Sequence, residues 1–320
     1  MIAREKLENN QVFLYVIVLL LAVVVGLFTP TIGKQLNVTI SFVIAILMYS
    51  MFSQIPFTSL KESFSNQRFI GALLTVNYIV VPIIVWLLTM LLPDHPPLLL
   101  GVYLVLLTPC IDYVIVFTAL GCGNEKAMLV STPILFITQM LLLPFYLWLF
   151  IGDEAANIVE PQPFLEAFLE LIIIPLLLAI ALQLFAKKSS AGDKLINLSA
   201  WLPVPFMALT LFVVVSSQIG KLSTSIDWII RVIPIYIAFM IIMPFISKLI
   251  GKWFKLDIES GRALIFSGST RNSLVVLPLA LSLPNHLNTL VAAIIVTQTI
   301  VEIIGEIFYI RIVPNLILRK

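Results

Sequence analysis

The sequence predicts an all-α polytopic membrane protein with ten transmembrane helices. They are expected to form two inverted five-helix repeats, 1–155 and 156–320, with helices four and nine broken and crossing. Three observations carry this expectation. Mean hydropathy is +1.09, with 60% hydrophobic and 11% charged residues, outside the range of a chain that folds in water. Ten apolar runs approach the length that crosses ~30 Å of hydrocarbon, which takes ~20 residues of helix. Two of these runs are interrupted by polar residues or proline at matching places.

The runs lie near 12–31, 36–54, 69–92, 98–119, 127–150, 164–186, 195–218, 228–250, 261–283 and 289–311. The first ten residues, MIAREKLENN, are too polar for a signal-peptide core, and no small-residue cleavage site follows the first run, so that run is read as a retained span. Short polar joints separate the runs: KESFSNQR at 61–68, PDHPP at 93–97, KKSSAGDK at 187–194, KWFKLDIES at 252–260 and PNHLN at 284–288. Lys and Arg accumulate on cytoplasmic loops. With the amino terminus inside, most of them fall on one side, including Lys61, Arg68, Lys126, Lys187, Lys252 and Arg262. Lys34, Lys221 and Arg231 fall on the other. Both termini are therefore expected in the cytosol. The acidic connection GDEAANIVEPQP at 152–163 divides the runs five and five, which inverts the second half relative to the first. Thr138-Gln139 and Thr297-Gln298 lie 159 positions apart, and Asp112 lies 160 before Asn272, a nearly constant register that reads as an inverted repeat.

The ninth run contains FSGSTRNSLVVLP at 266–278, with Arg271 and Asn272 in mid-membrane just after Gly268, Ser269 and Thr270. The fourth contains LLTPCIDYVIVF at 106–117, with Pro109 at the break and Asp112 beyond it. Non-helical backbone at membrane depth survives only where protein buries it or where it lines a wet cavity. Two broken, crossed helices meet that condition by facing each other, so their ends point at a common site, the arrangement of a transport site. Asp112 and Arg271 each cost ~2.5–3.5 kcal/mol at a helix centre on insertion scales, which favours their pairing. The pair is either structural, cementing the crossing, or part of the site. In the second case Arg271 and Asn272 donate to substrate oxygens, and Asp112 accepts a proton or a substrate hydroxyl. Both roles are compatible.

Gln298, Glu302 and Glu306 form one stripe on the last span. Glu302 lies well inside, where desolvation disfavours an ionised carboxyl, and is the candidate proton-binding group. Glu306 falls near the cytoplasmic end, where it is expected to snorkel or to pair with Arg311 or a neighbouring loop. Cys110 follows the Pro109 break, either as a small apolar filler or as a thiol for a soft, thiophilic solute. Cys122, in GCGNEK, is read as incidental, and a disulfide framework is not indicated. His95 and His286 lack ligand spacing, and no Walker loop, HExxH or nucleophile elbow occurs. No enzyme activity, resident metal, cofactor or nucleic-acid partner is expected. Prolines at 82, 133, 144, 175, 203, 205, 234 and 244 lie inside spans, where membrane helices tolerate them if packing repairs the ladder.

The two breaks, Thr108-Pro109-Cys110 and Ser269-Thr270-Arg271-Asn272-Ser273, resemble those of the bile acid/sodium symporter superfamily, which includes the arsenical-resistance efflux transporters. The resemblance covers essentially the whole chain. It implies a core of the third to fifth and eighth to tenth helices that moves against a panel of the other four. Asn77, Asp112, Gln139, Arg271, Asn272, Gln298 and Glu302 fall mostly in the core spans. The Pro-Cys at the fourth-span break is similar to the arsenite-efflux branch, whose cysteine there is taken to bind trivalent arsenic. That implies Cys110 as the metalloid ligand. Thr108, Ser269, Asn77, Arg271 and Asn272 are the other substrate-binding candidates.

The ninth span departs from the pattern. Arsenite carriers have a glutamate shortly after the paired asparagines, and Asn272-Ser273-Leu274 has none, so Glu302 stands as a substitute. The sodium-coupled branch places a glutamate before this break and a glutamine beside the asparagine, where this chain has Ser267 and Arg271. This argues against a sodium site of the family kind and leaves proton coupling open. The expectation is a plasma-membrane secondary carrier that exports arsenite or a related metalloid oxyacid in exchange for protons, with Asp112 or Glu302 holding the proton. The alternative is sodium- or proton-coupled symport of an organic anion, its charge met by Arg271 and the half-helix amino termini. Expected partners are a small-molecule substrate, H+ or Na+, and the lipid bilayer.

Overall fold

In lipid an apolar segment must satisfy its own backbone groups, and a helix does so residue by residue. The computed structural model describes residues 7, 10–29, 35–36, 39–57, 66–111, 113–152, 166, 168–218 and 226–319. Asp112, Lys34, Lys61, Lys221 and most of the connection at 152–163 lie outside the described residues. In chain order the helices are α1 (Gln11–Phe28), α2 (Ile40–Gln54), α3 (Gln67–Thr75), α4 (Val81–Thr89), α5 (Pro96–Leu106), α6 (Val114–Leu120) and α7 (Glu125–Ile151). They continue as α8 (Ile174–Ala186), α9 (Ser190–Ser199), α10 (Pro203–Gln218), α11 (Ile226–Trp253), α12 (Ile258–Ser269), α13 (Ser273–Leu281) and α14 (Asn285–Ile312). π-helical turns occupy Val76–Val80, Leu169–Ile173 and Val313–Ile317.

Among the described residues, six helices are long and apolar enough to cross a membrane: Gln67–Thr89, Glu125–Ile151, Leu169–Ala186, Ser190–Ser217, Ile226–Trp253 and Leu287–Ile317. Shorter apolar helices run over Phe13–Phe28, Ile40–Gln54 and Pro96–Leu106. The protein is thus a multi-pass membrane protein, all-helical among the described residues. Side-chain caps set several helix starts. Asn66 Oδ1 accepts from Phe69 N–H at 3.1 Å, and Asn124 Oδ1 accepts from Ala127 N–H at 3.0 Å. Ser189 Oγ accepts from Ala191 N–H at 3.2 Å and starts α9 at Ser190, so the joint expected over 187–194 is partly helical. The joint expected over 252–260 likewise shortens, because α11 runs to Trp253 and Asp257 caps α12.

The chain forms two compact units. The first comprises Met1–Thr58, Glu160–Ile226 and Pro278–Thr289. Within it α10 packs along α1 and α2, and α8 packs along α2. α2 stops just before Pro56, which disfavours helical backbone in the residue before it. The carbonyls freed there are met by Gln183 of α8, whose Nε2 donates to Ile55 O at 2.7 Å.

The second unit comprises Ser59–Val159, Asp227–Leu277 and Leu290–Lys320. Two of its prolines show how the helix ladder is repaired. Pro82 has no N–H for the carbonyl four residues back, Tyr78 O, and the Tyr146 hydroxyl of α7 donates to that carbonyl instead. Pro244 frees Met240 O in the same way, and the Tyr309 hydroxyl of α14 donates to it. A second pair of contacts repeats alongside. Tyr78 Oη donates to Leu135 O at 2.5 Å, and Tyr236 Oη donates to Ile294 O at 3.1 Å.

Candidate functional site

The helix breaks at 107–111 and 270–272 meet in the second unit. Pro109 and Arg271 form an isolated antiparallel bridge. Cys110 N–H donates to Thr270 O at 3.1 Å, and Asn272 N–H donates to Thr108 O at 2.7 Å. The amides and carbonyls released by each break therefore satisfy those of the other, which is how non-helical backbone persists at this depth. A close approach makes room for it: a Cβ on Gly268 would lie 2.4 Å from Ser247 Oγ and 2.7 Å from Val76 Cγ1.

Arg271 is completely buried. Its Nη2 donates to Ser267 O at 2.6 Å and to Asn77 Oδ1 at 2.9 Å, and its Nη1 donates to Leu106 O at 3.3 Å. Its Cζ lies 5.5 Å from the centroid of the Phe239 ring of α11, a cation–π distance. Asn77 sits in the π-helical turn Val76–Val80, and its Nδ2 donates to Leu73 O and to Ser267 Oγ, both at 3.0 Å. In this conformation Asn77 positions the guanidinium.

Glu302 is also completely buried, and three donors converge on it. Tyr113 Oη lies 2.6 Å from Oε1, Arg271 N–H donates to Oε2 at 2.7 Å, and Gln298 Nε2 donates to Oε2 as well. The carboxyl is thus joined to the break through the Arg271 backbone, while the guanidinium turns to neutral oxygens. Glu306 departs from the expectation of snorkelling or pairing with Arg311. It is fully buried, with Oε1 2.8 Å from Thr270 Oγ1.

The remaining expected site residues divide by how far their polar atoms are committed. Thr108 Oγ1 donates to Leu104 O at 2.7 Å within its own helix. Asn272 Oδ1 accepts from Val275 N–H at 3.2 Å at the start of α13, and its Nδ2 is unpartnered among the described residues. Ser269 Oγ, Arg271 Nε, Gln298 Oε1 and both amide atoms of Gln139 are buried and unpartnered among them too. Cys110 is completely buried at the crossing, Cys122 is exposed, and neither is in a disulfide. No cluster of metal-ligating side chains occurs among the described residues. Tyr113 and Thr270 carry contacts that the sequence reading passed over. The signal for Tyr113 was its place beside Asp112 in the break.

An all-helical membrane protein whose broken helices cross around buried ionisable groups is built like a carrier. Residues 41–225 match the model of the Sodium Bile acid symporter family, and the chain belongs to that family. A curated relative, the Arsenical-resistance protein Acr3 of Corynebacterium glutamicum, is 27% identical over 106 residues. That match covers 33% of this chain and 29% of the relative's length.

Proposed function

We propose that the protein is a secondary active transporter that exports arsenite or a related metalloid oxyacid in exchange for protons. The observation that carries this reading is the crossing. Cys110 N–H is bound to Thr270 O and Asn272 N–H to Thr108 O across the two breaks, and the Arg271 Nε and Asn272 Nδ2 donors there lack protein partners among the described residues. A soft thiolate ligand with adjacent hydrogen-bond donors suits a trivalent metalloid carrying hydroxyls. In this reading Cys110 holds the metalloid. Arg271, Asn272, Thr108 and Ser269 face its oxygens, Asn77 sets Arg271, and Glu302 or Asp112 takes the proton. The name of the Corynebacterium relative supports the substrate class. Protons are favoured over sodium because a guanidinium lies against Ser267 and Asn77, where a second cation would meet like charge.

The ten-helix, two-repeat architecture belongs to the same proposal. The paired tyrosine contacts support it: Tyr146 with Tyr78 O and Tyr309 with Met240 O recur in matching order in the two halves, as do Tyr78 with Leu135 O and Tyr236 with Ile294 O. The two compact units divide the helices much as the panel and core of the resemblance do. The proposal includes a plasma-membrane location with cytoplasmic termini, and two clusters of the second unit accord with that sidedness. His95 stacks on Trp228 with centroids 4.4 Å apart, both on the side assigned outside. Arg262 holds Cys122 O at 2.9 Å and Leu318 O at 2.8 Å, all on the side assigned inside.

The test is flux into everted vesicles from cells lacking other arsenite exporters, under an imposed proton or sodium gradient. Arsenite accumulation that needs the proton gradient and falls to background in Cys110→Ser is the expected result. A second reading, ion-coupled symport of an organic anion, is favoured by the Arg271 guanidinium, whose protein acceptors among the described residues are all uncharged. Under that reading Cys110→Ser leaves uptake nearly intact and Arg271→Met abolishes it.

A further inference from the structure

We propose that Glu306 is a second proton-binding site, and that in this conformation the Glu302–Glu306 pair holds one proton, carried by Glu306 and shared with Thr270. Thr270 Oγ1 lies 2.7 Å from Phe266 O and 2.8 Å from Glu306 Oε1. A hydroxyl has one proton to donate and a carbonyl has none. Both contacts are hydrogen bonds only when the carboxyl supplies a proton of its own. In the ionised alternative Thr270 donates to Glu306, and Phe266 O keeps only the Thr270 N–H, at 2.9 Å. That state leaves a fully buried carboxylate with a single hydrogen bond and Oε2 unpartnered among the described residues. One hydrogen bond does not offset the desolvation of a buried carboxylate. Glu302 Oε2 takes two N–H donors, and the single Tyr113 proton goes to its Oε1 at 2.6 Å in preference to Arg271 O at 3.0 Å, so its ionised form has the donors it requires, whereas the two Thr270 contacts are nearly equal in length.

Charge and packing lead to the same assignment. Among the described residues, the ionisable groups that bear on Glu306 are Glu302 and Tyr309 on α14. Tyr309 turns its hydroxyl to Met240 O of α11, and the break contributes the uncharged Thr270. Arg271 supplies one positive charge and Glu302 one negative, so a second carboxylate would stand uncompensated among the described residues. Two carboxyls one helical turn apart resist ionising together. At the spacing of 159 that relates Thr138-Gln139 to Thr297-Gln298, Glu302 and Glu306 correspond to Leu143 and Leu147 of α7, both buried. One helix fills these positions with leucine, so packing does not call for acids in the other.

Assigning this proton to a transport cycle rests on the carrier reading above; locating it does not. The experiment is infrared spectroscopy of the full chain reconstituted in lipid at neutral pH, in light and heavy water. It reads the carbonyl stretch that a protonated carboxyl has and a carboxylate lacks. The expected result is a band present in wild type, absent in Glu306→Gln, retained in Glu302→Gln and displaced in Thr270→Val. A wild type without the band, or a band retained in Glu306→Gln, overturns the proposal. Thr270→Val keeps both carboxyls, so if Glu306→Gln does not fold, an unmoved band there overturns it equally. The spectrum needs no transported solute, so its failure and the failure of vesicle flux are separately visible.

Discussion

Arg271 owes its place to geometry that a lysine lacks. A planar guanidinium presents donors in several directions at once, and here they meet Ser267 O, Asn77 Oδ1 and Leu106 O. Arg271→Lys is therefore not conservative and should lower both melting temperature and flux. Asn77→Ala removes one acceptor from the buried charge, and hydrogen bonds to charged groups contribute about 1.5–3 kcal/mol. A loss of that size should appear as a lower thermal midpoint in detergent. At the membrane surface, Asp257 responds to pH. Partial burial pulls its carboxyl upward, but hydrogen bonds from Ser260 N–H at 2.9 Å and Ser260 Oγ at 2.8 Å outweigh this and hold it below the usual carboxylate value. A group depressed in the folded state stabilises at pH above its unfolded value and loses that contribution as pH falls through its folded value. Asp257→Asn should therefore flatten the acid limb of a stability–pH profile and leave the neutral region little changed.

Two helix ladders of this fold are interrupted at prolines, and a tyrosine hydroxyl from another helix takes up the carbonyl freed at each. Tyr146→Phe leaves Tyr78 O without its hydroxyl donor, and Tyr309→Phe does the same to Met240 O. Each should cost about 0.6–2 kcal/mol, the range for interhelical hydrogen bonds in membranes. In a Pro82→Ala background the cost of Tyr146→Phe should shrink, since the substitution restores an N–H to the ladder, and a double-mutant cycle reads the difference. The sequence makes the prolines plain and leaves their tyrosine partners obscure. Tyrosine in an apolar run passes for another aromatic filler, and its hydrogen bond to a distant helix follows no sequence spacing. The breaks at Pro109 and Thr270–Asn272 were legible because a proline and a run of small and polar residues mark them in the chain. Glu306 was misread because position along a helix gives approximate depth and not the neighbour across the gap, here Thr270.

At the scale of the whole molecule, the order of apolar runs conveys the helices but not their spatial grouping. Each compact unit draws segments from both halves of the chain, because packing acts on helix faces without regard to chain order. The sidedness proposed above has a direct measurement. In a cysteine-free background, a cysteine at Lys126 or Lys187 should react with an impermeant maleimide in everted vesicles, and one at Asp94 or Arg231 in intact cells. The reverse pattern would invert the topology. Under the carrier reading, with Glu306 neutral as proposed, Arg271 balances Glu302 among the described residues, and this bears on membrane voltage. An elementary charge moved through 100 mV of potential exchanges ~2.3 kcal/mol with the field, and a cancelled pair exchanges almost none. The unloaded protein should therefore reorient at a rate indifferent to membrane potential, and a substrate-free solid-supported membrane should record no charge transient. Current should appear only with protons and cargo, so the cell's voltage would act on what is carried and not on the vehicle.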